Sequence, residues 1–171
     1  LSGAARSLQS AGADFLVLCT NTMHKVAPAL EAAVEIPLFH IADPTADAIR
    51  QAGFSTVGLL GTRFTMEQDF YRHRLQERHG LQVLTPPPQD RELVHHIIYD
   101  ELCLGKTTPA SRAVYRRVIA ELATQGAQAI ILGCTEISLL VDQKDAAIPL
   151  FDTTNIHARK AAEWALSDIA I

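Results

Sequence analysis

Residues 13–22 read ADFLVLCTNT, and residues 126–136 repeat the same pattern as GAQAIILGCTE. Each stretch contains a short apolar run, typical of a buried parallel strand, and each run ends at a Cys-Thr pair. The sequence Ile-Pro-Leu-Phe follows each pair at a similar distance, at residues 36–39 and 148–151. The repeat predicts two related half-molecules, each with one cysteine just past the carboxyl end of a strand.

Strand and helix patterns alternate along the whole chain. Besides the two repeated strands, the patterns predict strands at residues 36–41, 56–62 and 81–85, and helices at 1–11, 23–33, 43–51, 64–78, 91–104, 113–125 and 153–169. Pro28 is expected near the start of its helix, where proline is favoured. The last helix is expected to return and pack on the first half. This alternation predicts an α/β fold with parallel sheets flanked by helices.

The two halves differ in what precedes their repeated helix. In the second half a strand-helix-strand-helix segment comes first, whereas no equivalent precedes Leu1, and the chain begins with Leu instead of Met. We therefore expect that an opening segment of roughly fifty residues or more is absent from this chain. The repeat predicts an incomplete first lobe of residues 1–42 and 153–171 and a second lobe of residues 43–152.

Composition and charge limit the class of protein. The chain has 171 residues, 48% of them hydrophobic, and a net charge of −4, which gives no basic surface for nucleic acid. No apolar run reaches the roughly 18 residues of a membrane span, and no signal peptide is present. The 3 cysteines are too widely spaced for a disulfide framework or a zinc ribbon. We expect a soluble, cytoplasmic protein with reduced thiols that binds neither nucleic acid nor membranes.

The paired cysteines predict a cleft between the two halves. Because ligands of parallel sheets bind beyond the carboxyl ends of the strands, two facing sheets would place Cys19 and Cys134 on opposite walls. Backbone N–H groups of the helices that follow would suit a carboxylate, and a helix N-terminus would lower the pKa of a thiol from about 8.5. Two opposed thiols can remove a proton from one face of a carbon and deliver one to the other. This chemistry requires neither a metal nor a pyridoxal cofactor.

Several residues near the repeats also have a purely structural interpretation. Cys103 shares a predicted helix face with apolar residues, so we interpret it as part of the core. Thr20, Asn21 and Thr22 favour helix N-caps, a role that does not exclude contact with a substrate. His24 is either a surface residue of the first helical turn or a supporting group of the site.

Other motifs give weaker functional signals. His95 and His96 are adjacent on a predicted helix, so their side chains point in different directions and do not predict a metal site. The segment GLLG at residues 58–61 follows a strand but is neither a dinucleotide-binding nor a P-loop motif. It predicts a tight turn between a strand and a helix that brings Thr62 or Thr65 near the cleft. No G-x-S-x-G elbow of a serine hydrolase is present.

Several stretches of the chain carry a family resemblance. They are LCTNTMHKV at 18–26, LFHIAD at 38–43, LLGTRFTMEQDFY at 59–71, DELCLGK at 100–106, ILGCTEI at 131–137 and LFDTT at 150–154. Together they resemble the cofactor-independent aspartate/glutamate racemase family, and in particular its broad-specificity amino-acid racemase branch. The resemblance runs over essentially the whole chain, and the paired cysteine motifs are its most specific part. The chain departs from the family at its start, because the family's first strand and Gly-rich loop are absent.

The resemblance implies a fold and a site. It implies two α/β lobes of the same topology with the site at their interface, no cofactor, and a homodimer. Cys19 and Cys134 would be the two acid/base residues. The residues implied to contact the carboxylate or amine of an amino-acid substrate are Thr20, Asn21, Thr22 and Thr135. Lys106 lies near the place where some members of the family hold a side-chain carboxylate with a lysine.

Alternative functions remain open from the sequence. Hydantoin racemases, maleate isomerases and arylmalonate decarboxylases share this superfamily, and the last need only one cysteine, so the pair Cys19 and Cys134 favours inversion. A maleate isomerase, which uses a cysteine as nucleophile, is harder to exclude. A catalytically inactive binding module that keeps the cleft is a third possibility, because the opening segment is expected to be missing.

Overall fold

Two parallel sheets and the helices around them form the fold, and the computed structural model describes residues 1–167. The strands are β1 (Leu16–Val17), β2 (Leu38–Phe39), β3 (Thr56–Gly61), β4 (Gln82–Leu84), β5 (Ala129–Gly133) and β6 (Leu150–Asp152). The helices are α1 (Ser2–Ser10), α2 (Ala27–Glu31), α3 (Ala42–Gln51), α4 (Arg63–Glu67), α5 (Asp69–His79), α6 (Pro88–His96), α7 (Pro109–Thr124), α8 (Ile137–Leu140) and α9 (Thr153–Ala165). Between residues 1 and 167, no helix is long and apolar enough to cross a membrane.

Strand pairing confirms the predicted fold class. The smaller sheet pairs β1 with β2, and the larger sheet has the order β4-β3-β5-β6. Each of these pairs is parallel. Parallel strands need crossover connections, and helices supply them between the strands of the larger sheet. The fold is therefore α/β, with parallel sheets flanked by helices.

The central strands of the larger sheet are buried on both faces. Every residue of β5 is buried, which explains its continuous apolar sequence AIILG. Alternate side chains enter two separate cores. Ile130 and Leu132 pack with the side chains of α6 and α7, whereas Leu59 and Ile131 pack with those of α3 and α5. Burial on both faces fixes the register of β3 against β5, because a slip by one residue would exchange the two sets.

Two glycines end these central strands. Gly61 and Gly133 are register partners at the carboxyl ends of β3 and β5. A Cβ on Gly61 would lie 2.8 Å from the carbonyl oxygen of Gly133, and a Cβ on Gly133 would lie 2.9 Å from that of Leu60. These are backbone atoms, so rotation of a side chain cannot relieve the contacts. The glycines let the two strands end close together, immediately before Thr62 and Cys134.

We expect Gly133→Ala to lower the free energy of unfolding by about 1–3 kcal/mol, because the new methyl group must push β3 and β5 apart. Urea denaturation followed by circular dichroism measures the change. Gly3→Ala in α1 is the matched control, since no atom lies within 4 Å of a Cβ there. That substitution should stabilise the helix by roughly 0.5–1 kcal/mol. A Gly133→Ala protein as stable as the wild type would show that the strand ends are not close-packed.

The last helix joins the two sheets. Thr153, at the start of α9, donates a hydrogen bond of 2.8 Å from Oγ1 to the carbonyl oxygen of Leu132 in β5. Near the other end of α9, the ring of Trp164 lies 4.4 Å from the ring of Phe15, which precedes β1. The expectation that this helix packs on the first half is therefore confirmed. Its predicted end near residue 169 lies outside the described residues.

Local backbone geometry interrupts three predicted helices. The helix predicted at 64–78 is two helices, because Gln68 has an extended backbone with φ −83° and ψ 149°. The helix predicted at 91–104 begins earlier, at Pro88, and passes into a π turn at Ile97–Glu101 and a 3₁₀ turn. The stretch predicted at 23–33 is a 3₁₀ helix followed by α2, with Pro28 in the first turn of α2 as expected.

Candidate active site

A cleft of about 250 Å³ opens at the carboxyl ends of β3 and β5. The loops after these strands supply one part of its wall, and the first Cys-Thr motif supplies another. The lining residues are Thr20, Asn21, Thr22, Met23, Thr62, Ile98, Tyr99, Cys103, Gly133, Cys134, Thr135 and Glu136. The residues that follow Cys19 and those of the second Cys-Thr motif, which are more than a hundred positions apart in sequence, thus meet at one cleft, whereas Cys19 itself is not among the lining residues.

Hydrogen bonds fix the first motif against the larger sheet. The side-chain amide of Asn21 donates to Thr153 Oγ1 at 3.0 Å, and Thr153 in turn donates to the carbonyl oxygen of Leu132. Thr22 Oγ1 lies 2.9 Å from Thr62 Oγ1. Asn21 Oδ1 is buried and has no hydrogen-bond partner among residues 1–167. The first motif is therefore held in place by the strand that leads to the second.

The side chains of Cys134 and Thr135 both donate hydrogen bonds to the carboxylate of Glu136. The Cys134 thiol donates to Glu136 Oε2 at 3.0 Å, and Thr135 Oγ1 donates to the same oxygen at 2.6 Å. Burial raises the pKa of the Cys134 thiol well above its usual value, and the hydrogen bond to Glu136 raises it further. Burial also raises the pKa of Glu136, but the hydrogen bonds from Thr135 and Cys134 hold it below its usual value. Cys134 is therefore a protonated thiol beside a carboxylate.

The prediction that a helix N-terminus lowers the pKa of the Cys134 thiol is wrong. We predicted that the helix after Cys134 would lower the pKa of the thiol. That helix, α8, is only 4 residues long, so its dipole is small. Burial and the adjacent carboxylate outweigh it, and the pKa of Cys134 moves in the opposite direction.

Cys19 was predicted on a wall of the cleft and Lys106 near it, but both side chains are exposed and neither residue is among those that line the cleft. The Sγ atom of Cys19 is 3.9 Å from the carbonyl oxygen of Val17, and the next residue, Thr20, begins the lining of the cleft. Lys106 lies in the loop that follows Cys103, and the wall on this side is formed by residues that precede the loop. The predicted site residues that the structure brings together are Thr20, Asn21, Thr22, Cys134 and Thr135.

The interpretation of Cys103 as a core residue is wrong. Its thiol is exposed, and the residue lines the cleft. Cys103 lies four positions after Tyr99, so the two residues share a helix face, and Tyr99 is 44% exposed and lines the same cleft. The buried face of this segment carries Ile98 and Leu102 instead. The sequence interpretation took Tyr99 as part of the apolar face and therefore placed Cys103 in the core.

His24 is a buried residue and not part of the surface. Its Nε2 atom lies 3.2 Å from the backbone nitrogen of Ile41, which can only donate, so Nδ1 carries the proton. That Nδ1–H donates to the carbonyl oxygen of Thr20 at 2.6 Å. Burial lowers the pKa of His24 to about 4, so the ring is neutral near pH 7. The neutral ring fixes the backbone of the first Cys-Thr motif from behind the cleft wall.

Thr62 and Glu136 are two further residues of the cleft wall, and the sequence predicted the first of them. Thr62 lines the cleft, as the turn motif predicted, and it also caps α4 by accepting a hydrogen bond from the backbone N–H of Thr65. Glu136 was not predicted. Its signal was position, because it is the second residue after Cys134 just as Asn21 is the second after Cys19.

Comparison with known proteins identifies the family. Residues 1–161 match the sequence profile of a family described as Asp/Glu/hydantoin racemase. The chain belongs to the Asp/Glu/hydantoin racemase family. The crystal structure of a Yersinia pestis protein, provisionally described as an Asp/Glu racemase, superimposes with a TM-score of 0.93 at 60% identity. The superposition covers 97% of this chain and 72% of that one.

Curated relatives carry racemase names as well. A glutamate racemase of Thermus thermophilus is 30% identical over 155 residues, which are 88% of this chain and 55% of that enzyme. The chain therefore spans about half the length of the Thermus enzyme. The broad-specificity amino-acid racemase RacX of Bacillus subtilis is 24% identical over 167 residues, covering 98% of this chain and 71% of that protein.

Proposed function

We propose that this protein inverts the Cα centre of free amino acids by proton transfer between two thiols, without a pyridoxal cofactor. The single observation that carries the proposal is that the segment directly after Cys19, residues 20–22, meets Cys134 and Thr135 at one cleft. A single base that returned the proton to the face it came from would leave the configuration unchanged. Segments of two related motifs at one cleft suit a reaction that needs an acid and a base on opposite faces of a carbon.

The proposed reaction moves one proton in and one proton out. The thiolate of Cys19 takes the proton from Cα, and the electron pair of the broken C–H bond stays on the substrate. The thiol of Cys134 then gives its proton to the opposite face of Cα. The product has the opposite configuration, Cys19 is now a thiol, and Cys134 is a thiolate. The reverse reaction uses the same steps in the other direction, so the number of protons and the charge are conserved.

Polar groups of the wall would hold the substrate. The hydroxyl groups of Thr20 and Thr22 can donate to a carboxylate, whose charge increases as the proton leaves Cα. Thr135 would contact the substrate through other atoms, because its hydroxyl hydrogen is donated to Glu136. The unpaired Oδ1 of Asn21 is an acceptor for an ammonium group, and pairing it would recover the free energy lost by burying it alone. The proposal includes Lys106 as a contact for acidic side chains and a homodimeric assembly, as the family resemblance implies, and a cytoplasmic location, as the composition predicts.

The test is a chiral assay of the purified protein with no added cofactor. L- and D-enantiomers of acidic, neutral and basic amino acids are incubated separately in D₂O. We expect each accepted enantiomer to become a racemic mixture, with deuterium at Cα of the inverted product. Activity should persist after treatment with hydroxylamine, which removes pyridoxal phosphate. Absence of both inversion and exchange across the panel would overturn the proposal, as would inversion of 5-substituted hydantoins alone.

A further inference from the structure

The hydrogen-bond partners of the Glu136 side chain indicate a role in catalysis and not in folding. Although Glu136 occupies the N-cap position of α8, its side chain makes no capping hydrogen bond. It forms no ion pair with any residue in the described part of the chain. The hydrogen bonds it accepts come from Cys134 and Thr135. Helix capping and surface ion pairing therefore do not explain this carboxylate.

The surroundings of Cys134 make Glu136 its main electrostatic neighbour. The turn after α6 brings Tyr99 and Cys103 to the same cleft, and α7 brings the buried Tyr115 near the thiol. Among the described residues that line the cleft, Glu136 is the charged one at neutral pH. A thiolate at Cys134 would thus face a carboxylate oxygen at 3.0 Å with no lining cation between them.

We propose that Glu136 is a positioning residue that keeps the proton on Cys134, so that the resting enzyme presents Cys134 as the proton donor and leaves the thiolate to its partner. This inference rests on the proposed function for the identity of the proton acceptor, Cα. Two like charges 3.0 Å apart in a partly buried site repel strongly, whereas the protonated thiol makes a charge-assisted hydrogen bond. Thr135 orients the carboxylate by donating to the same oxygen.

The same arrangement serves the reverse direction. Once Cys134 has given its proton to the substrate, its thiolate lies against the Glu136 carboxylate and is a stronger base than an isolated thiolate. It is therefore able to remove a proton from Cα of the product and restore the resting state. Glu136 takes no proton in either direction. It sets which of the two thiols holds the shared proton between turnovers.

Alkylation of the thiols measures this effect without turnover. Wild-type protein and Glu136→Gln are treated with iodoacetamide from pH 6 to pH 10, and mass spectrometry follows the peptide that contains Cys134. Because burial places the pKa of Cys134 well above its usual value, the shift of the midpoint is read from the displacement of the two pH–rate curves along the pH axis. We expect Glu136→Gln to lower the midpoint of Cys134 alkylation by at least one pH unit, so the rate at pH 8 rises about tenfold. Glu136→Asp should retain part of the high midpoint because it keeps the charge. Glu77→Gln, which removes an exposed carboxylate from α5, is the matched control and should leave the midpoint unchanged.

The outcomes separate this inference from the proposed function. Equal midpoints for wild type and Glu136→Gln would overturn the role of Glu136 even if amino acids are racemised. A lowered midpoint in a protein that neither exchanges nor inverts amino acids would support the coupling of Glu136 to Cys134 and overturn the proposed function. A lowered midpoint, together with a shifted pH profile of kcat/KM in Glu136→Gln, would support both. Urea denaturation of each variant checks that the fold is retained.

Discussion

Replacing Cys134 by alanine is expected to lower kcat/KM for amino-acid inversion by about 10²- to 10⁴-fold in both directions. The thiol directly follows the fully buried strand β5. Gly61 and Gly133 pair at the ends of β3 and β5 and fix the distance between the loops that follow these strands. Alanine removes the proton donor and leaves the wall otherwise unchanged, so binding should suffer less than turnover. The chiral assay measures kcat and KM for each enantiomer, and the loss should appear in kcat.

Exchange of the Cα hydrogen with solvent deuterium tests the role of Cys134 more specifically. With Cys134→Ala, the other thiol can still remove and return the proton on its own face of Cα. One enantiomer should therefore exchange its Cα hydrogen with solvent deuterium without inversion, while the other enantiomer does not exchange. Cys103→Ser is the comparison variant, because it changes an exposed thiol of the same cleft, and its loss should stay below about tenfold. Inversion by Cys134→Ala at the wild-type rate would exclude Cys134 as an acid/base residue.

Much of the larger sheet and part of the site could be predicted from the sequence. A continuous apolar run that ends at Cys-Thr predicts a strand buried on both faces, and β5 has this form. The end of such a strand is where ligands bind, so the positions of Cys134 and Thr135 follow from the strand alone. The position of Thr62 at the cleft is predicted in the same way, because it directly follows β3. These predictions depend on local sequence, and they succeed for that reason.

The remaining features depend on tertiary contacts that no short stretch of sequence contains. The segment before Cys103 buries Ile97, Ile98 and Leu102 in one core and turns Tyr99 and Cys103 to the cleft, and packing decides which of these faces is buried. The buried ring of His24 accepts a hydrogen bond from the backbone N–H of Ile41, which is 17 positions away in the sequence. The division of the chain into lobes and the roles of the exposed Cys19 and Lys106 stay predictions.

Acidification is expected to destabilise the fold through two histidines behind the first Cys-Thr motif. His24 is 1% exposed and His40 is 2% exposed, and their ring centroids are 4.2 Å apart. Burial lowers the pKa of His24 to about 4, and burial together with the proximity of the His24 ring lowers that of His40 to about 2. Their ring nitrogens accept hydrogen bonds from the backbone N–H groups of Ile41 and Ala42. Protonation of these nitrogens would break those hydrogen bonds and place two positive charges side by side.

The sign of the effect follows from linkage. Both histidines have a folded-state pKa below the unfolded value of about 6.5, so the unfolded chain binds more protons below that pH. The stability that they contribute is fully present above pH 6.5 and decreases as the pH falls, through about pH 4 for His24 and about pH 2 for His40. At pH 5 the loss is about 2 kcal/mol for each residue, or about 4 kcal/mol together.

Urea denaturation at pH 7.5 and at pH 5 measures this loss. In the wild type we expect the free energy of unfolding to fall by at least about 4 kcal/mol between the two conditions, because burial lowers the pKa of His157 as well, and in His40→Gln the fall should be about 2 kcal/mol smaller. His73→Gln is the matched control, because His73 is an exposed histidine of α5 and its replacement should leave the pH dependence unchanged. The same fall in His40→Gln as in the wild type would show that His40 is not the group that titrates.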